Sequence, residues 1–114
     1  MVDERRNALR FPFEAEAEVA PASSPQATIS ARVTQIGVYG CYLETPAPFT
    51  VQTAVFVKIF VPGTYFESKA TVIHVQPAAG MGLSFRDVKP NFRIILRAWV
   101  LDAMHKDDPK AGWA

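Results

Sequence analysis

Three arginines stand within the first ten residues, Arg5, Arg6 and Arg10, and their type and spacing suggest a chemistry most directly. Arg6 and Arg10 are four apart, which puts them on the same side of an extended chain and equally on the same side of a helix. Two guanidiniums so placed clamp phosphate oxygens through charge-assisted, bidentate hydrogen bonds and lie against the flat or the edge of a purine. Guanine, with O6 and N7 on one edge, is the commonest base partner of such a fork. The plainer reading is a solvated arm that aids solubility, because exposed arginine pairs are common.

The other reactive residue types do not assemble. His74 falls within a strand-like pattern and His105 ends a helical one, at a spacing that fits neither a zincin nor a triad. Cys41 is the single cysteine, so no intrachain disulfide and no cysteine-based metal site is possible. With apolar neighbours and no basic residue nearby in sequence, Cys41 reads as an inert buried hydrophobe. Glu14, Glu16 and Glu18 share one face of a strand and read as solvated carboxylates rather than a cation site. The glycines of Pro62-Gly63 and Gly80-Met81-Gly82 precede no helix, so they are not phosphate loops. No nucleophile–base pair exists, and the chain reads as a non-enzyme.

Positioning these residues falls to one domain. The chain has 114 residues, 49% hydrophobic and 20% charged, which suffices for a single core and excludes a mainly disordered chain. A net charge of +1 supplies no field for binding DNA non-specifically. No apolar run reaches the roughly 18 residues of a membrane span, so no membrane insertion is expected. The polar N-terminus lacks the apolar stretch of a signal peptide, and a soluble cytoplasmic domain is the expectation.

Residues 1–10 read as a flexible arm. Phe11 to Val19 alternates, with Phe11, Phe13, Ala15, Ala17 and Val19 opposed to the three glutamates, the mark of a strand with one wet face. Pro21 to Pro25 is a loop. Thr28 to Ile36 alternates again, with Ile29, Ala31 and Val33 on one face, and Gly37 and Gly40 punctuate its exit. Gly40 to Glu44 is a short strand stopped by Pro46 and Pro48. Thr53 to Val61 reads as a strand buried on both faces, Pro62-Gly63 as a hairpin tip, Tyr65 to Val75 as the returning strand and Met81 to Phe85 as the last. The period then becomes helical. Phe92, Ile95, Leu96, Trp99, Val100, Ala103 and Met104 recur at helix spacing behind Pro90, and residues 105–114 are assigned to a tail. Six short strands and one helix predict an all-β, six-stranded antiparallel barrel with a C-terminal α-helix packed outside it or over one end, within residues 11–104.

Glu4-Arg5-Arg6-Asn7-Ala8-Leu9-Arg10 followed by Gln35-Ile36-Gly37-Val38-Tyr39-Gly40 resembles the PilZ domain family, whose pattern is Arg-x-x-x-Arg in an arm and Asp/Asn-x-Ser-x-x-Gly on the barrel. Gly40-Cys41-Tyr42-Leu43-Glu44-Thr45 is similar to the family's next strand. Gly80-Met81-Gly82-Leu83-Ser84-Phe85 is similar to its last, and the resemblance spans residues 4–104. It implies a bacterial second-messenger receptor: a six-stranded barrel that binds cyclic di-GMP, with the arm wrapping the ligand. Arg6 and Arg10, with Arg5 beside them, match the first motif. Gln35 stands for Asp/Asn, Gly37 for Ser, and Gly40 matches the final glycine.

The two departures have a chemical cost. Exchanging a charge-assisted acceptor for a Gln amide loses about 1–2 kcal/mol, and losing the serine hydroxyl about 1 kcal/mol more. If additive, they weaken binding about 30- to 150-fold relative to an intact member. Two functions therefore stand. One is a cyclic di-GMP receptor whose ligand orders the arm and changes the surface offered to an unidentified protein partner. The alternative is a degenerate member that binds no nucleotide and acts as a protein-interaction adaptor through the helix or an edge strand. No resident cofactor is expected in either case.

Overall fold

The computed structural model describes residues 9–107. The expectations placed on Arg5 and Arg6 therefore lie outside the described residues, as do those for the chain beyond Asp107. Six antiparallel strands close into a barrel: β1 (Phe11–Pro21), β2 (Ile29–Ile36), β3 (Gly40–Glu44), β4 (Ala54–Val61), β5 (Thr64–Gln76) and β6 (Gly80–Arg86), ordered β1-β2-β3-β6-β5-β4 around the wall. One helix, α1 (Pro90–Asp107), follows. The helix runs past the bound of residue 104 through His105, Lys106 and Asp107. Among the described residues no helix is long and apolar enough to cross a membrane.

The strands form where β-branched and aromatic residues alternate with polar ones, and closure leaves no unpaired edge. In β1 the three glutamates face water while Ala17 and Val19 are buried. The interior is filled by Val19, Val33, Ile36, Cys41, Leu43, Val57, Ile59, Phe66, Val72, Met81 and Leu83. The β4–β5 hairpin turns on Pro62 and Gly63, pairing Val61 with Thr64. Gly63 takes φ +87°, a left-handed conformation that a Cβ disfavours.

β4 corrects one expectation. Val55, Val57 and Ile59 point inward, but Ala54 and Phe56 are exposed and Lys58 and Phe60 are half-buried, so the strand has one buried face and not two. Its continuous apolar run reflects a second, superficial cluster, in which the Lys58 ammonium lies 4.6 Å from the centre of the Tyr65 ring and 5.4 Å from that of Phe60. An amphipathic cation over aromatic faces keeps that surface apolar without burying it.

The helix begins at Pro90, where a missing N–H leaves no bond unmade. Phe92, Leu96, Val100 and Ala103 form the buried stripe, with Ile95 and Trp99 half-buried beside it, against β1, β2 and β5. Arg93, Arg97 and Lys106 face water, and Met104 stays exposed despite its spacing. The contact is aromatic: Phe13 stacks on Trp99 at 5.4 Å between ring centres, and Phe92 meets Phe66 edge-on at 6.0 Å.

Two bulges decide which side chains reach the outer wall beside the β2–β3 turn. The β2–β3 register shifts between Val33 and Gln35, and the β5–β6 register between Val72 and His74. Each inserts one residue and inverts the alternation after it. Ile36 consequently turns into the core while Gln35 turns out, and His74, which strict alternation from Phe66, Ala70 and Val72 would send inward, turns out as well.

Candidate functional site

With those bulges in place, one cross-strand row runs over four neighbouring strands. Gln35 pairs with Tyr42, Tyr42 with Gly82, and Gly82 with His74. Directly opposed residues share a face, so an amide, a phenol and an imidazole stand on one outer wall with a side-chain-free position between the two rings. Tyr42 and His74 are two strand spacings apart, about 10 Å at the backbone, which leaves a slot over Gly82 into which the Arg10 guanidinium reaches. Tyr42 donates its hydroxyl hydrogen to Gln76 Oε1, which holds the phenol against the sheet. Burial, and secondly the charge of Glu44, raise its pKa, so it is the neutral phenol that stands in the row.

Arg10 crosses this wall. Its Nη2 donates to the carbonyl oxygen of Leu83 at 3.3 Å, a long bond. The guanidinium runs over the two glycines of the floor: a Cβ on Gly40 would sit 3.0 Å from Nη2, and one on Gly82 would sit 3.5 Å from Nη1 and from His74 Cβ. At Gly40 the added carbon would also overlap the Leu83 carbonyl oxygen, so the close approach of β3 to β6 depends on glycine there. The β2–β3 turn is closed by Gly37 N–H donating to Gly40 O at 2.8 Å.

Gly37, at the exit of β2, is buried. The Leu9 carbonyl oxygen lies over it so closely that a Cβ would overlap it, and Arg10 Cγ would be 3.3 Å away. The first motif thus packs on the second through Gly37, the glycine that stands where the family pattern has serine. Of the sequence-predicted residues, Arg10, Gln35, Gly37 and Gly40 come together on one wall, while Arg5 and Arg6 lie outside the described residues.

Tyr42, His74 and Gly82 join them, and sequence reasoning assigned none of the three to the site. Alternation from Cys41 and Leu43 turns Tyr42 outward, and that signal was available. His74 and Gly82 enter through register and a bulge, which have no local signature.

Cys41 lies beneath this wall, fully buried, and burial pushes its thiol up to about 12 against a smaller downward pull from Arg10, so it stays protonated. Arg32 Nη2 donates to Glu14 Oε1 at 2.9 Å and its Nη1 lies 3.8 Å from Glu16, so two of the three β1 carboxylates already face a cation. Among the described residues no group of three His, Cys, Asp or Glu side chains is placed to hold a metal.

Arg10 therefore offers a fork for phosphate or a guanine edge, the glycines a flat floor, Tyr42 and His74 aromatic faces, and Gln35 an amide for a base edge.

The same fold recurs among solved structures. The PilZ domain of YcgR from Escherichia coli, solved with c-di-GMP, matches at TM-score 0.74 and 14% identity, covering 96% of this chain and 99% of that one. The PilZ domain of CeSA from a cellulose-synthesising bacterium matches at 0.67 and 18%, covering 86% of this chain and all of that one. The Bacillus subtilis inhibitor of motility, MotI/DgrA, matches at 0.72 and 14%, covering 90% of this chain and 51% of the longer relative. At these identities the likeness establishes the fold. No curated protein matches the chain by sequence. The family model for the PilZ domain matches residues 4–102, nearly the whole chain and both arginine and glycine motifs, and the chain belongs to the PilZ domain family.

Proposed function

We propose that this chain is a cyclic di-GMP receptor domain whose N-terminal arm closes on the ligand over the wall formed by Gln35, Tyr42, Gly82 and His74. The observation that carries the reading is the position of Arg10, whose guanidinium already lies across the glycine floor beside that row. The c-di-GMP held by the YcgR domain, a structural neighbour, supports the same ligand class. In this reading Arg10 exchanges its long bond to Leu83 O for a phosphate or guanine edge, Arg6 approaches from the same side of the arm, and Gln35 accepts from and donates to a base edge. Tyr42 and His74 stack on the bases. Capture of the ligand by Arg6 and Arg10 orders the arm that leads into Leu9 and Arg10 and alters the surface shown to a protein partner. The protein acts by binding, as a receptor in a bacterial cytoplasm, and not as an enzyme.

A second reading, an adaptor that binds no nucleotide, is favoured by one observation: the Leu9 carbonyl covers Gly37, where the family pattern has serine. Isothermal titration with cyclic di-GMP, with GTP as control, separates the two. The receptor reading expects saturable binding of cyclic di-GMP alone, and a loss of about 1.5–3 kcal/mol in each of Arg6→Ala and Arg10→Ala. Absence of binding by the parent chain, with binding by Gln35→Asp/Gly37→Ser, favours the adaptor reading and makes positions 35 and 37 the cause of the lost binding.

A further inference from the structure

The far side of the β2–β3 turn carries a second feature that the nucleotide reading leaves unused. Between Gly37 and Gly40 the turn holds Val38 and Tyr39, 41% and 56% exposed, where a turn ordinarily carries polar residues. Tyr39 O accepts from Phe85 N–H at 2.8 Å, so this wall is tied to the end of β6. Across from it stand Arg93 and Arg97, one helical turn apart on α1, and the buried side chains of Phe85 and Leu96 form the floor of a groove of about 630 Å³.

The charge of this groove selects its occupant. Arg93 Nη2 donates to Val88 O at 3.1 Å, which holds the guanidinium at the rim with N–H groups to spare. Among the described residues neither Arg93 nor Arg97 lies within ion-pair distance of a carboxylate; the pairs are Arg32 with Glu14 and Glu16, and Lys106 with Asp102. Residues four apart on a helix bring two guanidiniums within about 6 Å at their Cβ atoms, a spacing that two carboxylates on one peptide segment can match. Asp87, which is exposed, also lines the groove and offsets one of its two positive charges, leaving a net positive lining. A nucleic acid needs a longer basic track than two arginines supply.

We propose that the groove between the β2–β3 turn and α1 docks an acidic peptide segment of a partner protein, its carboxylates on Arg93 and Arg97 and an apolar side chain between Tyr39 and Leu96. The turn that forms one wall also carries Gly37 and Gly40 of the candidate nucleotide site. The docking itself stands without any ligand there.

The test uses the whole chain, isotopically labelled, and a fluorescent peptide of alternating glutamate and leucine, with a lysine-for-glutamate peptide as control. Both are titrated with and without cyclic di-GMP. Expected are saturable binding of the acidic peptide alone in both conditions, with amide shifts confined to residues 37–40, 85–88 and 92–97. Arg93→Glu with Arg97→Glu, both at exposed positions that should leave the circular dichroism unchanged, is expected to weaken the acidic peptide at least about tenfold and to gain binding of the basic one. Tyr39→Ser is expected to weaken binding without that exchange of preference. Three results overturn the proposal: no binding at millimolar peptide, equal binding by the charge-reversed variant, or shifts centred elsewhere. Sedimentation velocity showing dimers that dissociate on charge reversal assigns the groove to a second copy of this chain and overturns it too.

Discussion

Gly40 and Gly82 look alike in the sequence and differ in what a methyl group would meet. At Gly40 it runs into the Leu83 carbonyl, which is backbone and cannot yield without parting β3 from β6. Gly40→Ala is expected to destabilise the fold by about 1–3 kcal/mol in a denaturant melt. At Gly82 the nearest atoms are 3.5 Å away, an ordinary contact, so Gly82→Ala is expected to melt within about 1 kcal/mol of the parent. If the slot between Tyr42 and His74 receives a base, that same change weakens cyclic di-GMP at least about tenfold in the titration. Loss of stability without loss of affinity would remove Gly82 from the site.

Cys41 makes a third test at this scale. Its thiol titrates near 12 when folded against 9.0 for the ordinary group, so the folded state holds its proton longer. Stability is therefore intact below pH 9 and falls as pH rises above it, by about 1 kcal/mol between pH 8.5 and 10. Melts across that range should show this component in the parent and not in Cys41→Ala.

Among the elements, α1 is legible from sequence and its energetics are not. The apolar spacing from Phe92 to Ala103 places the stripe on the barrel, and Phe92, Leu96, Val100 and Ala103 are indeed buried. The same spacing treats Trp99 as an equal member, yet it is half-buried and stacks on Phe13. Full burial of a tryptophan predicts a loss of about 3–5 kcal/mol on truncation to alanine. With one ring face against Phe13 and part of the indole in water, Trp99→Ala is expected to cost about 2–3 kcal/mol in a urea melt, and a value under about 1 kcal/mol would mean the stack contributes little. The bulges in β2 and β5 went unread for a physical reason. A bulge is favoured by what the extra residue faces across the sheet, and no residue type within Val33–Ile36 or Val72–Val75 demands one.

The whole molecule links the arm to the barrel through Gly37. From sequence alone, restoring the family's residues with Gln35→Asp and Gly37→Ser should tighten nucleotide binding and leave the fold unchanged. Gln35 is exposed and tolerates the change, but at Gly37 the Leu9 carbonyl occupies the space a serine needs. The serine variant is therefore expected to lift Leu9 and Arg10 off the turn in the absence of ligand. Trypsin should then cut after Arg10 faster than in the parent, and cyclic di-GMP should restore protection. Unchanged cleavage would mean the turn, rather than the arm, gives way.

What the chain's own order of residues determined is the list of elements. Period-two runs bounded by proline and glycine mark six strands, and a switch to helical spacing behind Pro90 marks one helix, because backbone geometry dictates which neighbours share a face. The family motifs likewise depend on short spacings, and Arg10, Gln35, Gly37 and Gly40 were named from them. Tertiary structure decided the rest: the barrel closure that sets β3 beside β6, the register that lines Gln35, Tyr42, Gly82 and His74 into one row, and the burial of Gly37 under Leu9. These are contacts between residues up to some seventy positions apart, such as Arg10 with Leu83, and local pattern holds no information about them until the sheet has closed.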